Sequence, residues 1–331
     1  MTKHPMGPLV RPLAHPVPRR LLGAALLLPL ARPALAQSRP KIRIGVPTKA
    51  YWPTIVAQAT ERQGLFTRAG IEAETTIYRG GAECFEALAA GAADVILDPP
   101  SLVAAGLRRG VGSRLVAGAS LAYHGWHLMV RADSAIQSVA QLAGQKVGIT
   151  SRGSGSDLLA QWTAQDRGLA FTAVPVGGGG LVPNLRSRNL DAAVIYSPLS
   201  FQLLQAGQAR SLIDYGKAVP PHCTAGWIAS DRIIQSQPVA VQATLDALFG
   251  GLAWLRASRD EAIALIAENN EIPTAIAAAE YQETILNLDP AGGLDRQQIA
   301  LSLELARLGG MTDMAPVEEV YTERFRPARA G

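Results

Sequence analysis

Two hydrophobic periods take turns along most of the chain. Lys41–Val46 (KIRIGV) alternates basic and apolar residues, the period-2 pattern of a strand. Residues 52–63 change to a helical period, with Ile55, Val56 and Ala59 on one face and Gly64 as the stop. A strand is predicted over 71–78, a short amphipathic helix over 82–90 and an apolar strand over 94–97. A helix over 100–109 and a strand over 113–119 complete the run. This order predicts a parallel-type sheet covered by helices. The cycle restarts after Met129, with helices over 138–142, 154–167, 181–188 and 198–206 and strands over 146–149, 172–176 and 192–196. From Val239 the pattern is nearly all helical, over 239–257, 259–269, 275–286 and 296–308, punctuated by Pro238, Pro273 and Gly309-Gly310. The expectation is two similar α/β lobes and a helical tail. Residues 37–122 and 225–331 form the first lobe and residues 123–224 the second, joined by two crossovers.

The first 36 residues stand apart. They carry Lys3, Arg11, Arg19 and Arg20, then the apolar run 21–30, and end in Ala34-Leu35-Ala36, a small-x-small cleavage pattern. An apolar run of about ten residues suits a secretory signal and is too short to span a bilayer. Arg19-Arg20 before that run leaves both twin-arginine and ordinary Sec export open. A periplasmic mature protein of about 295 residues is expected, long enough for two sizeable cores. Cleavage removes five cations and no acid, taking the formal charge from +4 to −1. The basic balance thus belongs to the targeting segment, and nucleic-acid binding is not indicated. Cys84 and Cys223 are the only cysteines, read as two buried thiols. No Cys/His metal spacing and no cofactor motif is present, so neither a metal nor a cofactor is expected.

Ligands of open α/β sheets bind beyond the carboxyl ends of the strands. That rule selects a small set of loops. After the first strand come Thr48, a hydroxyl, Lys49, a point charge, and Tyr51 and Trp52, two flat faces. After the third come Asp98, with helix capping or a cationic ligand group as its two open roles, and Ser101. After the restart strand, Arg152, Gly153, Ser154 and Gly155 open a helix. Backbone N–H groups there attract anions, and Arg152 offers a bidentate clamp. Gly178 sits in a four-glycine loop, and Tyr196 closes the following strand. His124 and Trp126 fall in an aromatic-rich segment at the first crossover, with His222 and Trp227 near the return. His124 and His127 are three apart on an expected strand, which does not put both on one face for a metal.

Several phrases carry a family resemblance. QGLFTRAGIEAE (63–74), ALAAGAADVILDPPS (87–101), SVAQLAGQKVGITSRGSGSD (138–157) and LRSRNLDAAVIYSP (185–198) occur in order behind IRIGVPTKAYW (42–52). The chain resembles the solute-binding proteins of ABC importers, in the group that includes sulfonate, taurine, nitrate and thiamine-precursor (NMT1/THI5-like) binding proteins. The resemblance covers residues 41 to about 200. It implies a type II-like periplasmic binding protein fold, a hinged clamp that closes on a small ligand. It also implies a monomer that is not an enzyme and hands its ligand to a membrane permease with a cytoplasmic ATPase. Lys49 and Arg152 suggest an organic anion such as a sulfonate or carboxylate, and the aromatic residues a pyrimidine-like heterocycle. Two alternatives remain. A pyrimidine-precursor synthase would need a cleft histidine, from His124, His127 or His222. A sensory protein would present its ligand to a membrane receptor.

Overall fold

The computed structural model describes residues 39–325; the expected signal segment, 1–36, lies outside them. Strands β1 (Lys41–Val46), β2 (Glu72–Ile77), β3 (Val95–Asp98) and β4 (Ser113–Ser120) belong to a first sheet. Strands β5 (His127–Arg131), β6 (Lys146–Ile149), β7 (Thr172–Pro175), β8 (Ala192–Ile195) and β9 (Ala209–Asp214) make a second. The chain then returns to the first sheet as β10 (Ala225–Ser230). The strand orders are β2-β1-β3-β10-β4 and β7-β6-β8-β5-β9. The two patterns correspond strand for strand, and in each the strand just past a crossover takes the fourth place.

Those two strands correct the expectation of purely parallel sheets. β10 is antiparallel to β3 and β4, and β5 is antiparallel to β8 and β9. The sequence reading also missed β9 and β10. Both faces of β10 (AGWIAS) are covered, so every residue is buried and no alternation marks it. β1 shows the opposite case: Ile42, Ile44 and Val46 are buried while Lys41 is exposed.

Helices cover both sheets: α1 (Trp52–Arg62), α2 (Leu65–Arg68), α3 (Gly81–Ala89), α4 (Pro100–Arg108), α5 (Gly155–Asp166), α6 (Leu181–Arg186), α7 (Leu199–Gln205) and α8 (Tyr215–Ala218). The tail adds α9 (Asp231–Ser236), α10 (Pro238–Ala257), α11 (Arg259–Asn270), α12 (Thr274–Glu283), α13 (Arg296–Leu308) and α14 (Val317–Val320). α10 is long and apolar enough to cross a membrane, yet Val241, Leu245, Leu248, Leu252 and Leu255 are buried and it packs along α1. It is the core helix of the first lobe, in one cluster with Ile42, Ile44 and Trp227. The second lobe has its own core around Leu128, Met129, Val147, Ile149 and Val194. α13 packs against α4 of one lobe and α5 of the other, bracing the pair.

Candidate functional site: a cavity between the lobes

The carboxyl ends of β1 and β3 face those of β6 and β8 across a cavity, closed at the back by the crossovers. Pro47, Thr48 and Tyr51 reach it from behind β1, and Leu97, Asp98 and Pro99 from β3. Thr150, Ser154 and Gly155 come from the β6 loop and Tyr196 from the end of β8. Tyr123, Trp126, Thr224 and Ala225 come from the crossovers, and Gly81 from the start of α3. The cavity measures about 40 Å³ on the scale by which one water needs about 10–15 Å³, so the lobes are drawn nearly shut.

Close backbone approach makes that closure possible. The Gly178 N–H donates to the Arg79 carbonyl of the opposite lobe at 2.8 Å. The Ala82 N–H donates to Ser151 Oγ at 3.3 Å. A Cβ at Gly178 would fall 2.5 Å from Tyr196 Oη and 2.6 Å from Thr48 Cγ2, and one at Gly80 would fall 2.6 Å from Ser151 Oγ. A methyl group at Gly178 would overlap its neighbours while the lobes stay together, and one at Gly80 would force Ser151 Oγ to turn away.

Four rings form one wall. Tyr51 lies 5.2 Å from Tyr196 and 5.6 Å from Trp126, Trp126 lies 5.3 Å from Tyr196, and Tyr123 lies 5.5 Å from Trp126, all between centroids. The arrangements are edge-on or tilted, the preferred aromatic geometry. Tyr51 comes from the first lobe, and Trp126 and Tyr196 pack with the second. Burial pushes all three tyrosine hydroxyls upward, Tyr196 to about 12, so they stay neutral hydrogen-bonding groups.

The polar wall divides into a satisfied and an unsatisfied part. Thr150 Oγ1 bonds Ser154 Oγ at 2.9 Å and Ser156 Oγ at 3.0 Å, and Ser154 Oγ accepts from the Asp157 N–H to cap α5. Across the cavity, Thr48 Oγ1, Asp98 Oδ2 and Tyr196 Oη are buried with no hydrogen-bond partner in the protein. The Thr48 and Tyr196 hydroxyls are neighbours, but they do not meet hydrogen-bond geometry. Burial alone raises the Asp98 carboxyl well above the usual carboxylate range. Orphaned buried groups are costly, and three on residues that line one cavity suit a place where a guest supplies the partners.

Of the residues selected from the sequence, seven line this cavity: Thr48, Tyr51, Asp98, Trp126, Ser154, Gly155 and Tyr196. Gly178 packs directly behind Thr48 and Tyr196. Six others lie elsewhere. Lys49 turns outward to Glu271 at 2.9 Å, both exposed. Trp52 is buried in the first-lobe core, and so is Trp227. Ser101, in the first turn of α4, is fully buried and its hydroxyl has no protein partner. Arg152 donates to the Ala173 carbonyl at 2.8 Å and sits 3.5 Å from Asp157. With Gly153 it lines a separate crevice beside α13. His124 lies with His127 in a third crevice, near Asp214, Lys217 and Glu283. His222 is buried, its ring 5.4 Å from Tyr123, with Nδ1 near the Pro220 carbonyl. The two cations of the anion expectation are therefore not in the lining, because each finds a protein acceptor at the surface.

Sequence reasoning overlooked Gly81, Thr150, Tyr123 and Thr224. Thr150 and Tyr123 stood next to selected residues. Gly81 and Thr224 carried no signal, since only the fold brings the start of α3 and the return crossover to one place. Cys84 and Cys223 are free buried thiols.

A family profile described as "NMT1/THI5 like" matches residues 51–262. A putative binding protein of Brucella abortus (strain 2308) is 27% identical over 214 residues. That match covers 63% of this chain and 65% of the relative, so the chain spans just under two thirds of its length. Among solved structures, the alkanesulfonate-binding protein SsuA from Xanthomonas axonopodis pv. citri, bound to MOPS, superposes with a TM-score of 0.74 at 20% identity. It covers 86% of this chain and 99% of that one. The periplasmic aliphatic sulphonate binding protein SsuA from Escherichia coli gives 0.68 at 20% identity, over 88% and 94% of the two chains. The desulfurization enzyme DSZB gives 0.58 at 19% identity, over 86% and 97%, so binders and an enzyme share this architecture. With two α/β lobes around a shared cleft and a family match over most of its length, the chain belongs to the NMT1/THI5-like family and has the two-lobed, type II-like periplasmic binding protein fold.

Proposed function

We propose that this protein is the periplasmic solute-binding component of an ABC importer. It acts as a monomer and not as an enzyme, and it closes on a small flat organic solute. It then delivers the solute to a membrane permease driven by a cytoplasmic ATPase. One observation carries the reading: an interlobe cavity lined by four aromatic rings and by three residues, Thr48, Asp98 and Tyr196, that each hold a buried polar atom without a protein partner. Such a site encloses a guest, stacks its faces and satisfies its edge. The pyrimidine-precursor synthase needs a histidine facing the ligand, and the lining holds none. The export pattern of residues 1–36 and the periplasmic neighbours support the location. Seven cavity residues, Thr48, Tyr51, Asp98, Trp126, Ser154, Gly155 and Tyr196, are proposed as ligand contacts. The rings favour the heterocycle half of the ligand expectation over the anion half.

Native mass spectrometry of freshly purified protein, followed by thermal-shift screening of heterocycles, amines, sulfonates and carboxylates, tests this. A co-purifying solute, or a ligand that raises the melting temperature by several degrees, is the expected result. Intact protein that carries nothing and responds to nothing would overturn it.

A further inference from the structure

Asp98 is the only side chain in the cavity lining that can carry a full charge near neutral pH. It is 2% exposed, and Oδ2 has no partner. No lysine, arginine or histidine faces the cavity. Cys84 from α3 lies near Asp98, and the hydroxyls of Tyr51, Tyr123 and Tyr196 share the cavity lining. All are held neutral by burial.

Four helices begin near this cavity, and helix N-termini ordinarily favour anions. Here a carboxylate stands in the first turn of two of them and a proline in the first turn of the other two. The Asp157 carboxylate lies in the first turn of α5 and accepts the Gly153 N–H at 2.8 Å. Glu83 lies in the first turn of α3 and accepts the Arg79 N–H at 2.7 Å. Pro53 in the first turn of α1 and Pro100 at the start of α4 each take one N–H away from those two helix starts. What remains for a ligand is an acid beside a box of π faces, and π faces attract cations.

We propose that the ligand is a nitrogen cation, an ammonium or amidinium, whose N–H group donates to Asp98 while its body packs against Tyr51, Trp126 and Tyr196. This rests on the solute-binding reading and names the charge class of its ligand. A cation seated there keeps Asp98 ionised. Without a cation beside it, burial favours the protonated carboxyl. Binding therefore releases a proton, and affinity for the cation climbs with pH until Asp98 ionises without it.

The test compares benzylamine, benzamidine, benzyl alcohol and benzenesulfonate by isothermal titration calorimetry in two buffers of different ionisation enthalpy. Benzylamine or benzamidine is expected to bind at least tenfold tighter than benzenesulfonate, with proton release. In Asp98→Asn that preference is expected to shrink at least tenfold. Benzenesulfonate binding tighter than both nitrogen compounds, or amine affinity that ignores pH in the wild type, would overturn the charge inference and leave the binding reading standing. The wild-type pH dependence decides the matter even if Asp98→Asn fails to fold. If none of the four binds, native mass spectrometry takes over. A co-purified solute without a cationic nitrogen overturns only the charge inference, a nitrogen cation upholds it, and an empty protein overturns both readings.

Discussion

Glu280 on α12 is a carboxylate buried behind the cleft, and its replacement by glutamine should destabilise the protein near pH 4.5 and stabilise it from about pH 6 upward. Its Oε2 accepts from Thr284 Oγ1 at 3.0 Å, Thr284 Oγ1 meets Ser197 Oγ of the second lobe at 2.9 Å, and Oε1 has no partner. Burial raises the carboxyl from 4.5 to about 7, and hydrogen bonding to Ser197 and Thr284 only partly offsets this. The folded state then holds the proton longer than the unfolded chain. Stability is therefore lost as pH rises from 4.5 to about 7 and stays low above it. At roughly 1.4 kcal/mol per unit, the ionised form costs about 3 kcal/mol. Glu280→Gln removes that cost but places an amide where Oε1 already lacks a partner, a loss of about 1 kcal/mol. The net expectation is a gain of about 2 kcal/mol at pH 8 and a loss of about 1 kcal/mol at pH 4.5. At about 2 °C per kcal/mol for a chain of this size, the variant melts about 4 °C higher at pH 8 and about 2 °C lower at pH 4.5. Differential scanning calorimetry of both proteins across this range reads the difference. Asp98, whose carboxyl burial raises, and His127 and His222, whose rings burial lowers, titrate in both proteins and cancel. A difference that does not change with pH would refute the reasoning.

Gly178→Ala forces a methyl group against Tyr196 and Thr48. Overpacking of about 1–2 kcal/mol in the closed form should weaken ligand binding roughly tenfold and expand the scattering profile, and unchanged affinity would count against the clamp. Lys49→Ala and Arg152→Ala should each alter ligand affinity less than about twofold by calorimetry, because both cations are half-exposed and engaged elsewhere. Asp94 joins Arg43 and Arg232; burial alone would raise its carboxyl, but the arginine hydrogen bonds hold it low. Asp94→Asn should cost about 2 kcal/mol in urea unfolding at pH 7, with a smaller difference as pH falls below the usual carboxylate range. Burial raises both thiols, Cys223 to about 12, so a disulfide-forming colorimetric reagent should find no thiol in native protein and two after denaturation.

Local pattern determined most of the elements. KIRIGV alternates because one strand face is buried, and Pro100 and Gly64 punctuate helices by their own backbone chemistry. The order of strands and helices implied two lobes, and the end-of-strand rule found Thr48, Asp98, Ser154 and Tyr196 before any coordinates. β10 escaped that reading because a central strand covered on both faces shows no period. Strand direction escaped it too, since pairing joins residues far apart in sequence. Only the tertiary structure decided which charged residues line the cavity. A long lysine or arginine side chain goes where an acceptor lies, and Lys49 met Glu271, 222 positions away, while Arg152 met the carbonyl of Ala173. With those two cations drawn off, the lining keeps a single buried acid among aromatic rings, an electrostatic character that no stretch of sequence contains by itself.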